Sequence, residues 1–253
     1  MYHTLLVKDA GKNDAGKLVT VALHRPEQQN SINALMLREL NDALDRAERS
    51  PVCHAFVMEG ENGVFSTGMD FAETADGSAS YMELLRRFSL SPRIVVAKLD
   101  GRVTGGGVGF AAASDLVVAT PRTQFSLPEA LWGLLPCCVL PWLIRRVGFQ
   151  QAYKMALTTQ NVSAEEARRC HLVDDLHDDP DEAVRRLLLR SSRVHEDTVR
   201  DLKRYARSLW IVSQAMEEAA VAEISRLLVE PRVRANISAF LEHRQFPWEK
   251  PHG

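Results

Sequence analysis

The densest chemical signal in the sequence is the run Asp100-Gly-Arg-Val-Thr-Gly-Gly-Gly-Val-Gly-Phe-Ala-Ala-Ala-Ser-Asp115. A glycine run that opens a short helix leaves backbone N–H groups unpaired at the positive end of the helix dipole. Without side chains in the way, those donors can meet a ligand carbonyl closely. The chemistry on offer is stabilisation of an oxyanion. A second segment, Gly63-Val-Phe-Ser-Thr-Gly-Met-Asp-Phe-Ala-Glu73, again sets a small, flexible stretch ahead of a polar, helical one. Two loops, each giving one donor, are what a two-point oxyanion hole requires. The plainer alternative for the glycines is close packing of a helix on a strand, with no ligand.

Within the run, Gly107-Val-Gly109-Phe-Ala-Ala112 also fits the dinucleotide pattern G-x-G-x-x-A. Its surroundings argue against that use. A dinucleotide fold needs a crossover of a dozen or more residues with a full helix. Here the next apolar strand, Leu116–Ala119, begins almost at once, so the intervening helix has about two turns at most. No nicotinamide or flavin cofactor is expected.

The other reactive side chains form no constellation. His24, His54, His171, His195 and His243 lack metal or triad spacing, and neither H-E-x-x-H nor G-x-S-x-G occurs. Cys53, Cys137, Cys138 and Cys170 show no metal-ligand spacing and are expected reduced and buried. The pairs Arg86-Arg87 and Arg145-Arg146 read as solvated surface charge, with a phosphate or an acidic carrier as the other possible partner.

The elements that must hold these loops come from periodicity. Leu18–His24 alternates like a strand, Arg25–Asn30 is a turn, and Ile32–Arg49 has helical spacing. Ala55–Glu59 and Ile94–Leu99 read as buried strands, with a helix around Met82–Phe88. From about residue 129 the pattern is helical: 140–147, 150–157, 165–169, 181–189, 196–209, 212–228 and 232–241. Alternating strands and helices followed by helices predict an α/β fold, divided here into a core of 1–190 and a helical region of 191–253. No internal repeat is visible in the sequence. With 253 residues, 45% hydrophobic, 25% charged and a net charge of −2, the chain fits one large domain and offers no footprint for nucleic acid. No apolar run long enough to span a bilayer and no signal peptide are read, so a cytoplasmic location is expected.

Taken together, Asn33-Ala-Leu, Phe65-Ser-Thr-Gly-Met-Asp70, Gly101 through Asp115, and Phe125-Ser-Leu-Pro-Glu129 with Gly133-Leu-Leu-Pro136 cover nearly the whole chain in order. This set resembles the crotonase (enoyl-CoA hydratase/isomerase) superfamily. The resemblance implies a spiral of ββα units with a C-terminal helical trimerisation region, and a homotrimer or a dimer of trimers. It implies no metal and no cofactor beyond the CoA or phosphopantetheine that carries the substrate as a thioester. It implies oxyanion donors at the N–H groups of Met69 and Gly106, with Gly68, Gly105, Gly107 and Trp132 lining the substrate. A β-carbon at Gly106 would crowd the thioester. Hydratases of this superfamily use two glutamates; the second matches Glu129 and the first falls on Gly109. The remaining carboxylate would lie among Phe125, Leu127, Leu131 and Trp132, where an apolar setting raises its pKa. Glu129 has a second reading, as a helix N-terminal glutamate after Pro128. Asp70 and Tyr81 are further catalytic candidates; Asp70 also reads as a helix cap and Tyr81 as a packing residue. Asp115 reads as structural.

A narrower likeness rests on Tyr81-Met-Glu-Leu-Leu-Arg-Arg-Phe88, Gly105–Gly109 and Ala130-Leu-Trp-Gly-Leu-Leu-Pro-Cys-Cys-Val-Leu-Pro-Trp-Leu-Ile-Arg-Arg-Val-Gly148. These strings resemble the polyketide-biosynthesis enoyl-CoA hydratase homologues of β-branching cassettes, and more their dehydratase than their decarboxylase. That implies dehydration of 3-hydroxy-3-methylglutaryl-ACP to 3-methylglutaconyl-ACP, with an acyl carrier protein as partner. The alternatives are the decarboxylase of the same cassette, a CoA-dependent hydratase or isomerase, and a non-catalytic scaffold.

Overall fold

The computed structural model describes residues 2–9, 17–72, 77–210 and 212–249. Glu73 and residues 250–253 lie outside them. The chain opens with β1 (Leu5–Asp9), β2 (Lys17–Leu23) and α1 (Ala34–Arg49). The side-chain oxygen of Asn33 accepts from Met36 N–H at 2.9 Å and starts α1. Met36, Leu37, Leu40, Leu44 and Ala47 then recur at helical spacing and are buried. Each large aliphatic side chain so buried contributes roughly 1.5–3 kcal/mol.

Three ββα units follow. They are β3 (Cys53–Glu59), β4 (Val64–Ser66) and α2 (Gly77–Leu90); β5 (Ile94–Leu99), β6 (Arg102–Thr104) and α3 (Gly106–Ala113); and β7 (Leu116–Ala119), β8 (Gln124–Ser126) and α4 (Glu129–Trp132). Each unit gives its first strand to a six-stranded sheet of order β1-β2-β3-β5-β7-β10 and its second to a four-stranded sheet of order β4-β6-β8-β9. The large sheet is parallel apart from β1, and the small sheet is parallel apart from β9. Turns of the spiral touch at Gly101, whose φ of +75° and lack of a β-carbon admit the Gly63 carbonyl.

The remaining elements are α5 (Leu140–Val147), α6 (Phe149–Thr158), β9 (Val162–Ser163), α7 (Ala164–Arg169), β10 (Asp175–Leu176), α8 (Pro180–Ser191), α9 (Glu196–Ser208), α10 (Gln214–Leu228) and α11 (Pro231–His243). Phe56, Phe65, Phe88, Phe110, Phe125 and Trp142 are fully buried. Among the described residues no helix is long and apolar enough to cross a membrane.

The mixed α/β architecture agrees with the sequence reading. The three-residue strands β4, β6 and β8 are new, because so short a run cannot display alternation. Arg86 stays at the surface, paired with Glu83, but the reading of Arg87, Arg145 and Arg146 needs correction. Arg145 Nη2 reaches the Ala112 carbonyl. Arg146, 8% exposed, donates to Ser114 O (2.9 Å), Asp115 O (3.0 Å) and Asp174. Both serve the carbonyls around the C-terminal end of α3, where cations are favoured. Arg87 is likewise occupied, by Asn41 and Asp45. Asp115 holds backbone as expected: it accepts from Val95 N–H at 2.7 Å and pairs with the buried Lys203 of α9 at 2.5 Å. Through such contacts the C-terminal helices pack onto the core.

Candidate active site

The register of the small sheet assembles the site. Val64 lies beside Arg102, and Thr104 beside Ser126, so β4, β6 and β8 run as parallel rungs. The loops leaving the three rungs therefore emerge side by side: Thr67-Gly68-Met69, Gly105-Gly106 and Leu127-Pro128-Glu129. Gly68, with φ +92°, comes so close to the next rung that a β-carbon on it would stand 3.3 Å from Gly106 N. A β-carbon on Gly105 (φ +54°) would stand 3.4 Å from Gly68 Cα and 3.1 Å from Glu129 Oε1. Two donor loops and one carboxylate thus converge.

The N–H groups of Met69 and Gly106 have no acceptor among the described residues. Ile32 N–H donates to Gly68 O at 2.8 Å, and Asp70 N–H donates to Ile32 O at 2.9 Å. Successive N–H groups in extended backbone point opposite ways. Met69 N–H therefore points away from Ile32, and no acceptor meets it among the described residues. Gly106 opens α3, whose first-turn N–H groups have no intrahelical partner. Val108 N–H is taken by Gly105 O at 2.9 Å, while Gly106 N–H meets no acceptor among the described residues.

Glu129 is the first residue of α4. Its Oε2 is buried and has no hydrogen-bond partner among the described residues. Burial raises its pKa to about 7, with a smaller opposing pull from its own backbone N–H. A carboxyl poised there can both take and return a proton near neutrality. Burial also pushes the Cys137 thiol to about 11 and the Cys138 thiol to about 12, so both are neutral cavity wall. None of Cys53, Cys137, Cys138 and Cys170 forms a disulfide; the first three are buried and Cys170 is half-buried. No group of three His, Cys, Asp or Glu among the described residues is placed to hold a metal ion.

Around this centre lies a cavity of about 850 Å³. Met69, Gly105, Gly106 and Glu129 form its floor, and Gln28, Thr67 and Arg102 line a polar side. Its roof comes from the C-terminus: Ile224 and Leu228 of α10, Phe240 and Leu241 of α11, then Phe246 and Trp248. The buried Trp132 joins floor to roof, meeting Phe71 and Phe240 edge-on at 5.0 Å each.

Other candidates take different places. Asp70 Oδ2 accepts from Arg25 Nη1 and Ser31 Oγ, both at 3.0 Å, and its Oδ1 accepts from Ala72 N–H at 3.0 Å. With both oxygens engaged it ties the Met69 loop to the Arg25 turn at the cavity wall; residues 73–76, on which its reading as a helix cap depends, lie outside the described residues. Gly107 does not line the cavity; a β-carbon on it would stand 3.0 Å from Ser66 Cβ, so its bareness serves packing. Tyr81 does line the cavity, and its hydroxyl donates to Gly106 O at 2.5 Å. Sequence reasoning missed the aromatic roof and Arg244, which also lines the cavity. The only signal was a cluster of Phe240, Phe246 and Trp248 near the C-terminus.

Comparison with known proteins places these features in context. The family profile for enoyl-CoA hydratase/isomerase matches residues 13–251. The bacillaene synthase dehydratase PksH of Bacillus subtilis (strain 168) is 34% identical over 240 residues, 90% of this chain and 92% of that protein. The cyclohexa-1,5-dienecarbonyl-CoA hydratase of Thauera aromatica is 28% identical over 245 residues, 92% of this chain and 93% of that protein. The crystal structure of pksH from Bacillus subtilis superposes with a TM-score of 0.89 at 30% identity, covering 98% of this chain and 100% of that one.

Proposed function

The chain belongs to the enoyl-CoA hydratase/isomerase family, and from that premise we propose that it is a hydro-lyase that dehydrates a 3-hydroxyacyl thioester through one carboxylate. The substrate of this reading is 3-hydroxy-3-methylglutaryl-ACP and the product 3-methylglutaconyl-ACP. The observation that carries it is the buried, unpartnered Glu129 Oε2 beside two converging backbone donors, with Gly109 in place of a second carboxylate.

The thioester oxygen lies between the N–H groups of Met69 and Gly106. Ionised Glu129 takes a proton from the α-carbon; the C–H electron pair becomes the enolate, and its charge collects on the thioester oxygen. Each donor stabilises that charge by about 3–4 kcal/mol. The enolate then expels the β-hydroxyl, which leaves as water with the proton Glu129 had taken. The carboxylate is restored, and atoms and charge balance. A pKa of about 7 suits a single group to both transfers. A tertiary β-hydroxyl also departs more readily than a secondary one.

Further features support the finer reading. PksH is itself named a dehydratase of bacillaene synthase. Arg244 brings a cation to the roof, held over the Phe240 ring at 5.3 Å, and among the described residues no carboxylate pairs with it. That suits an acyl chain ending in a carboxylate. The thioester arm enters along the polar side, from an acyl carrier protein or CoA, and the chemistry asks for no other cofactor. Exposed apolar rows at Phe149, Tyr153 and Leu157 of α6 and at Leu202 and Tyr205 of α9, with Leu209 just beyond it, suit burial in a homotrimer or a dimer of trimers. The expected location is the cytoplasm. Intact-mass analysis of a carrier loaded with 3-hydroxy-3-methylglutarate tests the reading: loss of one water is expected, whereas loss of CO₂ or no change refutes it.

A further inference from the structure

Gly105 to Gly107 form the cap and first turn of α3. Glycine admits a thioester closely but leaves the backbone freer than any other residue does. A preorganised donor needs that freedom removed from outside. Gly105 is held by its N–H bond to Ser126 O at 3.0 Å. Among the described residues, the side-chain hydrogen bond to this run is the one from Tyr81 of α2 to Gly106 O. Tyr81 is 2% exposed, and its ring packs 5.4 Å from that of Phe110. Its hydroxyl also fills the space beside Gly109. A β-carbon on Gly109 would overlap the Tyr81 hydroxyl oxygen and stand 3.1 Å from its Cζ. With its proton committed to Gly106 O, this hydroxyl has none left to give a substrate.

We propose that Tyr81 is a positioning residue of the oxyanion hole, and that residue 109 is glycine because the Tyr81 hydroxyl stands in its side-chain volume. The bond fixes the carbonyl side of Gly106, so that its N–H cannot swing out of line with the thioester. The inference rests on the thioester reading above and adds a residue that acts without touching the reacting atoms.

Two measurements test it. In steady-state kinetics, Tyr81→Phe is expected to lower kcat about tenfold and to leave KM within about twofold. Gly109→Ala alone is expected to lose about a hundredfold, because its methyl displaces the hydroxyl; added to Tyr81→Phe it costs about threefold or less, because the overlap is then gone. The second measurement reads polarisation without turnover, from the absorbance of a cinnamoyl-pantetheine thioester bound to Glu129→Gln protein. A red shift is expected, reduced when Tyr81→Phe is added. An equal shift with and without Tyr81→Phe, or an equal cost of Gly109→Ala in both backgrounds, overturns the role of Tyr81 alone. No shift in protein that retains Tyr81 overturns the oxyanion hole itself.

Discussion

The floor and the roof of the cavity are built of different material. In α3, which supplies the floor, every residue from Gly106 to Ala113 is buried. In α11, which supplies the roof, Val233 is the buried residue, and Trp248 beyond it is 51% exposed. The floor presents backbone N–H groups, glycine and one desolvated carboxylate; the roof presents aromatic rings and an arginine. Backbone donors in a packed spiral cannot be tuned by side-chain exchange, so they suit the invariant demand of a thioester enolate. Side chains on a lightly packed C-terminal segment suit the variable demand of the acyl group. The floor should govern kcat, and the roof KM.

The sharpest way to break that division is Glu129→Gln. It is expected to lower kcat about a thousandfold with little change in KM. Wild-type kcat/KM should rise with pH through about 7, as Glu129 ionises. The same shift has a stability consequence. The folded pKa of about 7 exceeds the ordinary 4.5, so the native state binds the extra proton between them. Stability conferred on the wild type by that proton is lost as pH rises from about 4.5 to 7, by up to about 3 kcal/mol. Glu129→Gln should escape the loss, so denaturation at pH 5 and pH 8 should show the variant gaining on the wild type at the higher pH. Equal differences at both pH values would mean that Glu129 is not desolvated.

Next in size is Gly68→Ala, which forces a φ of +92° on a residue with a β-carbon and sets that carbon 3.3 Å from Gly106 N. A fall in kcat of about a hundredfold is expected in steady-state assays. At the roof, Arg244→Ala should raise KM about tenfold for an acyl chain with a terminal carboxylate, equivalent to about 1.4 kcal/mol, with kcat within about twofold. A kcat effect as large as that at the floor would erase the distinction. Smallest is Gly63→Ala, where φ is +71° but nothing lies within 4 Å of the added carbon. Thermal denaturation should show a loss of about 1 kcal/mol from backbone strain, with kcat unchanged.

The floor was legible in the sequence because close approach and positive φ leave glycine as their mark. Gly68, Gly105 and Gly106 could be picked out before any coordinates. The device that aligns them could not. β4, β6 and β8 are too short for alternation, and the ββα units they belong to show no sequence repeat, since each turn of the spiral carries a different load. Arg145 and Arg146 misled because charge suggests solvent, whereas the carbonyls at the end of α3 hold them inside. Tyr81 was visible as a candidate, but its partner was not: nothing local connects residue 81 to residue 106 or 109. The roof left only a loose aromatic cluster in the sequence, because Phe240, Phe246 and Trp248 follow no single helical face.

The claim that one carboxylate moves the proton both ways is tested most directly by following the α-proton in deuterated water. With a 3-hydroxyacyl thioester, wild-type protein should dehydrate the substrate and exchange its α-hydrogen, and Glu129→Gln should lose both together. If the variant stops dehydrating but still exchanges the α-hydrogen, a second base is at work and the single-carboxylate account is wrong.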